Sequence, residues 1–118
     1  MDIKKIQKQL SDFADERDWN QFHNPKNLAM ALSVEASELV EIFQWLTPEQ
    51  ADAVMGSSES EHVKEEIADV IIYLIRLADK LDIDLEKAVA DKIVKNGKKY
   101  PVNLAKGNAK KIKPNDNK

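Results

Sequence analysis

The sequence predicts an all-α protein, a four-helix bundle with one extra short helix. Four stretches carry apolar residues at the three- and four-residue spacing of a helix. Almost no segment of the chain shows the alternation of apolar and polar residues that is typical of a strand. A residue type that caps helix N-termini stands before each stretch, and the connections between stretches are short. Long helices joined by short connections pack side by side, which is the arrangement of a helical bundle.

The first two helices are predicted from their caps. The first follows Asp2, a capping residue type, and ends near Trp19. Its apolar side chains are Ile3, Ile6, Leu10 and Phe13. The second opens with Asn24 as N-cap and Pro25 at the first helical position, where the missing N–H of proline costs nothing, and it runs to about Leu46.

Three further helices are predicted after Leu46. Each begins at a residue whose side chain can accept a hydrogen bond from the first turn: Thr47 with Pro48 and Gln50, Ser58 with Glu61, and either Asp82 or Asp84. The short third helix is expected to stop at Gly56, the fourth near Leu81 and the last at Gly97.

Charge divides the chain into an acidic body and a basic arm. Residues 1–91 carry 9 basic and 20 acidic side chains, whereas residues 92–118 carry 9 lysines against Asp116 alone. We predict one helical domain over residues 1–101 and an extended basic tail over residues 102–118, whose end is disordered. Such a tail can bind nucleic acid, hold small phosphates or merely remain solvated.

Composition excludes several classes of site. A chain of 118 residues suits a single domain, and the lack of cysteine excludes disulfides, thiolate zinc sites and a cysteine nucleophile. Any metal must therefore be held by oxygen or histidine. No stretch approaches the ~18 apolar residues of a membrane span, and no leader is recognisable, so a cytoplasmic location is expected.

Two of the predicted helices each point a pair of acidic residues toward their own apolar stripe. On the second helix Glu35 lies near the middle of the stripe and Glu38 on its edge, and on the fourth Glu66 and Asp69 are placed similarly. The stripes consist of Leu28, Ala31, Leu32, Leu39, Ile42 and Leu46 on the second helix, and of Val63, Val70, Leu74, Leu77 and Leu81 on the fourth. An unpaired carboxylate in an apolar interior costs several kcal/mol, so each pair needs a compensating charge.

A shared divalent cation would supply that charge. Side chains three residues apart on a helix lie about 5–6 Å from each other, and two antiparallel helices can bring all four carboxylates together. Hard oxygen ligands suit Mg²⁺ or Mn²⁺, which bind substrate phosphates in their remaining positions.

Two alternatives compete with this interpretation. A di-iron carboxylate bundle needs Glu-x-x-His on two helices, and the sequence offers only Glu59 with His62. His23 and His62 are interpreted as surface or capping residues rather than as ligands. The alternative of a different class is a non-catalytic helical interaction or nucleic-acid-binding module that uses the lysines of the tail and needs neither Glu35 nor Asp69.

The order of segments along the chain resembles a known enzyme family. "EASE" at 35–38 and "EIAD" at 66–69 resemble the ExxE…ExxD signature of the MazG-like all-α nucleoside triphosphate pyrophosphohydrolases. "FADERDWNQFHNPKNLAMAL", "ELVEIFQW", "EEIADVIIYLIRLA" and "NGKKYPVNLAKG" extend the resemblance, toward the dCTP pyrophosphatase branch, from about Ile6 to Lys111. It implies hydrolysis of dCTP or a related deoxynucleotide to monophosphate and pyrophosphate, as a clearance of unwanted nucleotides.

The resemblance also implies roles for individual residues. Glu35, Glu38, Glu66 and Asp69 would hold Mg²⁺, with Mn²⁺ as the alternative, and form the catalytic centre. The implied substrate-binding residues are Trp19, Trp45, Tyr73, Lys92, Asn96, Lys98 and Lys99. The lysine at 99 departs from the arginine of many relatives, which removes a bidentate grip on phosphate.

The fourth helix also predicts self-association. Ala68, Ile71, Ile72 and Ile75 occupy the side away from the acidic stripe, so this helix is apolar nearly all round. A bundle of this size cannot cover both sides, and a partner subunit would. We expect a homodimer or homotetramer, as the resemblance also implies, with no membrane and no nucleic-acid partner.

Overall fold

The computed structural model describes residues 1–112, and within them every regular element is a helix, which confirms the predicted all-α class. The helices are α1 (Ile3–Glu16), α2 (Pro25–Phe43), α3 (Pro48–Asp52), α4 (Ser60–Lys80), α5 (Leu85–Lys99) and α6 (Val102–Ala105), with a 3₁₀ turn at Val54–Gly56. The four predicted long helices are α1, α2, α4 and α5, and the extra short one is α3. The predicted disordered end of the tail lies outside the described residues.

The backbone divides into two compact units. The first, Met1–Ile83, contains α1 to α4, and the second begins at Asp84 and contains α5 and α6. The boundary predicted after residue 101 stays a prediction. Within residues 1–112, no helix combines the length and the apolar character that crossing a lipid bilayer requires.

Most of the predicted N-caps are confirmed. In four of them the side chain accepts a hydrogen bond from the amide three residues on: Asp2 from Lys5 (3.0 Å), Asn24 from Asn27 (2.9 Å), Thr47 from Gln50 (3.2 Å) and Asp84 from Lys87 (3.1 Å). The Gln50 side chain also accepts from the Thr47 amide at 2.9 Å, which completes the capping box. Asp84, rather than Asp82, therefore opens α5.

The predicted capping box of Ser58 with Glu61 is wrong. Helix α4 begins at Ser60 with Glu59 at the cap position, and no side chain caps it. Ser57 instead accepts a hydrogen bond from the Glu59 amide at 3.1 Å, so the serine hydroxyl shapes the turn before the helix.

The predictions for the end of the chain also need correction. Gly97 does not end α5, which continues to Lys99, because one glycine only weakens a helix and two lysines extend it. The helix stops before Pro101, since a proline disfavours helical geometry in the preceding residue. Residues 102–105, which were expected to be extended, form the short helix α6.

Two helices of the first unit end in the same way. Asp18 after α1 and Asp82 after α4 both adopt φ = 54°, in the left-handed region. The amide that follows each of them returns to the helix: Trp19 N–H donates to the Ala14 carbonyl at 2.9 Å, and Ile83 N–H donates to the Ala78 carbonyl at 2.8 Å. These are Schellman motifs with aspartate in the position that glycine usually takes.

The core of the first unit lies around α4, which packs against α2 and α1. Its most buried side chains are Ala14, Leu28, Val63, Ile75 and Ala78. Ile75 is only 1% exposed. It therefore belongs to this core, and although it also lines a groove with Ile71 and Ile72 on the predicted outer face of α4, it adds no exposed apolar surface there.

Candidate metal centre and adjoining cavity

Three carboxylates meet where α2 packs on α4. One oxygen atom from each of Glu35, Glu38 and Glu66 lies within 4.8 Å of the others. Asp69 lies beside these three residues, as its place in the wall of the same cavity as Glu35 shows. The structure thus brings three of the four predicted ligands into one group and places the fourth beside them. We call Glu35, Glu38 and Glu66 the carboxylate cluster.

The carboxylate cluster contains oxygen atoms that lack protein partners. Glu66 is 8% exposed, and Glu35 and Glu38 are half-buried. The Oε2 atoms of Glu35 and Glu66 are buried, and neither makes a hydrogen bond within the described chain. A buried acceptor without a partner costs about 1–3 kcal/mol, and more when charged. A hard divalent cation fits this set of oxygen ligands and would satisfy both atoms.

The electrostatics of the carboxylate cluster are those of acidic groups held close together away from water. Burial raises the pKa of Glu35 to about 7, with contributions from the neighbouring Glu38 and then from Asp69 and Glu66. Burial and Glu38 also raise the pKa of Glu66. Both pKa values are raised because the acidic groups are shielded from water and lie close to one another. A cation between them would lower both pKa values.

His62 contacts the carboxylate cluster. The interpretation of this histidine as a surface or capping residue did not predict that contact. Its Nε2 lies 3.4 Å from Glu66 Oε1 and its Nδ1 lies 3.0 Å from Glu59 Oε2. The carboxylate of Glu59 is the main cause that raises the pKa of His62. The four-residue spacing from His62 to Glu66 was the signal in the sequence that could have revealed this contact.

A cavity of about 390 Å³ adjoins the carboxylate cluster. Its wall includes the carboxylates of Glu35 and Asp69 and the rings of Phe13, Trp19 and Tyr73. Burial, followed by the charges of Glu35 and Asp69, raises the pKa of Tyr73. The volume lies in the range of small-molecule sites, and the wall combines a few polar groups with a mainly apolar surface.

The two tryptophans occupy different environments. Trp19 meets the ring of Phe13 edge-to-face at 5.6 Å and the ring of His23 at 6.1 Å, and it lines the cavity. Trp45 follows the end of α2, is 86% exposed, and is absent from the described wall of the cavity. The structure therefore separates two residues that the sequence grouped together.

A buried arginine on α4 was missed by the sequence analysis. Arg76 is 5% exposed and lines the cavity. Its Nε donates to His23 Nδ1 at 3.3 Å, Nη2 donates to Asn20 Oδ1, and Nη1 lies 3.8 Å from Asp79 Oδ2. His23 is thus half-buried in this network instead of standing on the surface. The sequence indicated it only by an arginine within an apolar helix, because its hydrogen-bond partners Asn20 and His23 are more than 50 residues away.

The predicted phosphate ligands lie in the second unit. Lys92, Asn96, Lys98 and Lys99 all belong to α5. The spacings of four and three residues place Lys92, Asn96 and Lys99 on one face of that helix. Lys99 is half-buried, and its ammonium lies 5.4 Å from the centroid of the Tyr100 ring.

Comparison with known proteins identifies relatives over most of the chain. Residues 30–114 match the MazG-like family, and this range includes both acidic pairs. The chain is 42% identical over 108 residues to dCTP pyrophosphatase 1 of Rattus norvegicus, and 41% identical over 110 residues to dCTP pyrophosphatase 1 of Homo sapiens. These alignments cover 91% and 92% of this chain but only 64% and 65% of the relatives. The chain thus spans less than two thirds of their length.

A solved structure shows the same architecture. The crystal structure of a pyrophosphatase from Archaeoglobus fulgidus superposes with a TM-score of 0.79 at 42% sequence identity. The match covers 86% of this chain and 94% of that one.

Proposed function

Because the chain belongs to the MazG-like family, we propose that it is a nucleotide pyrophosphohydrolase that converts dCTP or a related deoxynucleoside triphosphate to monophosphate and pyrophosphate. The observation that carries this proposal is the carboxylate cluster beside a cavity large enough for a nucleoside. The names of the dCTP pyrophosphatase relatives support the choice of substrate. The role is the clearance of unwanted deoxynucleotides.

The proposed cofactor is Mg²⁺, with Mn²⁺ as the alternative. Glu35, Glu38 and Glu66 would hold it, with Asp69 as the fourth ligand. The ligands are carboxylate oxygens, which favour Mg²⁺ or Mn²⁺. A di-iron carboxylate bundle would also need imidazole ligands from two helices. A bound divalent cation supplies positive charge beside the phosphate groups and acidifies water.

The side chains of the protein divide the remaining work. Trp19 and Tyr73 hold the base in the cavity and exclude water from it. A carboxylate of the cluster accepts the proton of the attacking water, so no covalent intermediate with the protein is needed.

The lysines of α5 are the proposed phosphate ligands. Lys92, Lys98 and Lys99 donate hydrogen bonds to phosphate oxygens, and the amide of Asn96 adds another. A role for Trp45 in binding the base, as the resemblance implies, belongs to the same proposal.

We also propose that the chain forms a homodimer or homotetramer. An open groove on the outside of α4 is lined by Lys64 and otherwise by apolar side chains, namely Met1, Ile6, Ile67, Ala68, Ile71, Ile72 and Ile75. Ile67 is 45% exposed, and Trp45 adds a large exposed ring elsewhere. Contiguous apolar surface of this kind marks association sites in proteins. The cytoplasmic location and the absence of a nucleic-acid partner stay predictions.

A panel of nucleoside triphosphates with Mg²⁺ tests the proposed reaction, if both pyrophosphate and orthophosphate are measured. We expect pyrophosphate, with a loss of roughly a hundredfold or more in kcat/KM for Glu38→Gln and Asp69→Asn. Glu41→Gln is the matched control, because Glu41 is exposed on the same helix as Glu38. Release of orthophosphate alone, or full activity in EDTA, would contradict the assignment.

A further inference from the structure

The contact between Arg76 and His23 assigns a specific chemistry to one wall of the cavity. We propose that Arg76 is a positioning residue that fixes His23 with its proton on Nε2, and that this N–H donates to an acceptor atom of the nucleobase. This inference rests on the proposed function and names the group by which the cavity recognises its ligand. It concerns a direct contact by His23 and an indirect role for Arg76.

The guanidinium of Arg76 acts as a clamp between α4 and the turn before α2. It is buried, and it donates both to the His23 ring and to the Asn20 side chain. A guanidinium is planar and offers five N–H donors in a fixed arrangement, so these bonds set the orientation of the ring as well as its distance. Trp19 restrains the same ring by an edge contact with an interplanar angle of 62°.

The hydrogen bond from Arg76 decides the tautomer of His23. Arginine Nε always carries a hydrogen and cannot accept, so His23 Nδ1 must be the bare, accepting nitrogen. A neutral imidazole with a bare Nδ1 carries its proton on Nε2. Burial, followed by the charges of Arg76 and Lys80, lowers the pKa of His23, and this direction favours the neutral form of the ring.

Within residues 1–112, the Nε2 proton of His23 has no protein acceptor. The ring contacts Arg76 through Nδ1 and meets the ring of Trp19 edge-to-face. His23 lines the cavity together with Trp19 and Tyr73. A nucleobase presents ring nitrogens and carbonyl oxygens along its edge, and cytosine offers N3 and O2. One oriented donor beside the rings of Trp19 and Tyr73 discriminates well, because a base without an acceptor leaves that donor unpaired.

The tautomer can be measured directly by ¹⁵N NMR of the imidazole side chains, without any substrate. The chain has two histidines, so a His62→Gln variant leaves the signals of His23 alone. We expect a bare Nδ1 and a protonated Nε2 in the otherwise wild-type protein, and a mixture of tautomers in Arg76→Met. A protonated Nδ1 in the protein with Arg76 intact would overturn the inference, even if the Arg76 variant fails to fold.

The contact with the base is tested by two amide substitutions of His23. The amide of glutamine reaches the position of Nε2, whereas the amide of asparagine reaches only that of Nδ1. His23→Asn should raise KM for dCTP roughly three- to tenfold, the effect of one neutral hydrogen bond, with the loss in KM rather than in kcat. His23→Gln should restore most of the affinity. Equal KM values in the two variants and the wild type would contradict the proposed donor.

Base analogues separate this inference from the proposed function. The wild-type protein should bind 3-deaza-dCTP, which lacks N3, or 2-thio-dCTP, which weakens the O2 acceptor, less tightly than dCTP. His23→Asn should lose that preference. If the wild type hydrolyses dCTP but the variant keeps the preference, only the role of His23 fails. If the wild type hydrolyses no triphosphate, the proposed function fails, and the NMR result then decides the role of Arg76 alone.

Discussion

Glu35 and Glu66 approach each other from α2 and α4, and each keeps one buried carboxylate oxygen without a hydrogen-bond partner in the described chain. Two acidic groups in this position repel each other and lack water, so they weaken the fold that holds them. The same feature makes them a strong binding site for a divalent cation. Stability and metal binding are therefore linked through these two residues.

Mg²⁺ should raise the melting temperature of the protein in a concentration-dependent way. A ligand that binds only the folded state stabilises it by about 2.7 kcal/mol at one hundred times its dissociation constant. Differential scanning fluorimetry over millimolar Mg²⁺ measures the effect, and Glu38→Gln should reduce it while Glu41→Gln should not. A melting temperature that does not change with the Mg²⁺ concentration would argue against a cation in the carboxylate cluster.

Without metal, the free energy of unfolding should fall as the pH rises from about 4.5 to about 7. The pKa of Glu35 is raised from 4.5 to about 7 by burial and its acidic neighbours, so in this range the folded protein holds a proton that the unfolded chain has released. Below pH 4.5 both the folded and the unfolded state hold the proton. Above pH 7 both have released it, and the free energy of unfolding is then lowered by the full cost of the half-buried Glu35 carboxylate.

Urea denaturation in EDTA at pH 5 and pH 7.5 measures this dependence. Glu35→Gln should flatten it, since an amide keeps the shape and cannot ionise. A wild-type protein that becomes more stable over this interval would show that other groups dominate.

Trp19→Ala should raise KM for the best nucleotide roughly tenfold, because stacking of a base on an aromatic ring contributes about 1–3 kcal/mol. Trp45→Ala is the matched comparison, since Trp45 is exposed and does not line the described cavity. If only Trp19 matters, a single chain forms the base site. A larger effect of Trp45 would instead indicate that a second subunit brings this ring to the base.

Ile67→Asp should dissociate the proposed oligomer without unfolding the chain. Ile67 lines the outer groove but is half exposed in the single chain, so a carboxylate there is costly only against a partner surface. Ile75→Asp should instead unfold the protein, because Ile75 is buried in the core. Sedimentation with circular dichroism separates the two outcomes, and a monomeric wild type would refute the association.

Asp82→Gly should stabilise the protein by roughly 0.5 kcal/mol. The left-handed conformation of Asp82 costs about 1–2 kcal/mol, and the greater freedom of glycine in the unfolded chain offsets part of the gain. Asp18→Gly should help less, because Asp18 also accepts a hydrogen bond from Gln21 at 3.2 Å. Chemical denaturation of both variants measures the difference, and a destabilised Asp82→Gly would contradict the strain argument.

The parts of the structure that were predicted correctly depend on neighbours in the sequence. The caps at Asp2, Asn24, Thr47 and Asp84 join a side chain to an amide three residues away, so the local pattern determines them. The acidic pairs were found for the same reason, because a spacing of three residues on an apolar stripe shows on a single helix.

The parts that were missed depend on distant partners. No residue near Arg76 in the sequence indicates that its guanidinium reaches Asn20 and His23. A local sequence pattern therefore cannot predict the clamp. Likewise Leu74, a member of the predicted stripe of α4, is 41% exposed. Periodicity orders the side chains around a helix but does not say which neighbouring helix covers each of them.

The separation in sequence between Arg76 and its partners has a kinetic consequence. The helices can form from local contacts, whereas the wall of the cavity requires the closure of a loop of 53 to 56 residues. Opening of the Asn20–His23 turn breaks this clamp, the contact of Asn20 with Asp15 and the ring contact of Trp19 with His23, but it leaves each helix intact. Amide hydrogen exchange should therefore divide into two classes, with fast exchange at the turn that ligand binding slows, and slow exchange in α4 that requires global unfolding.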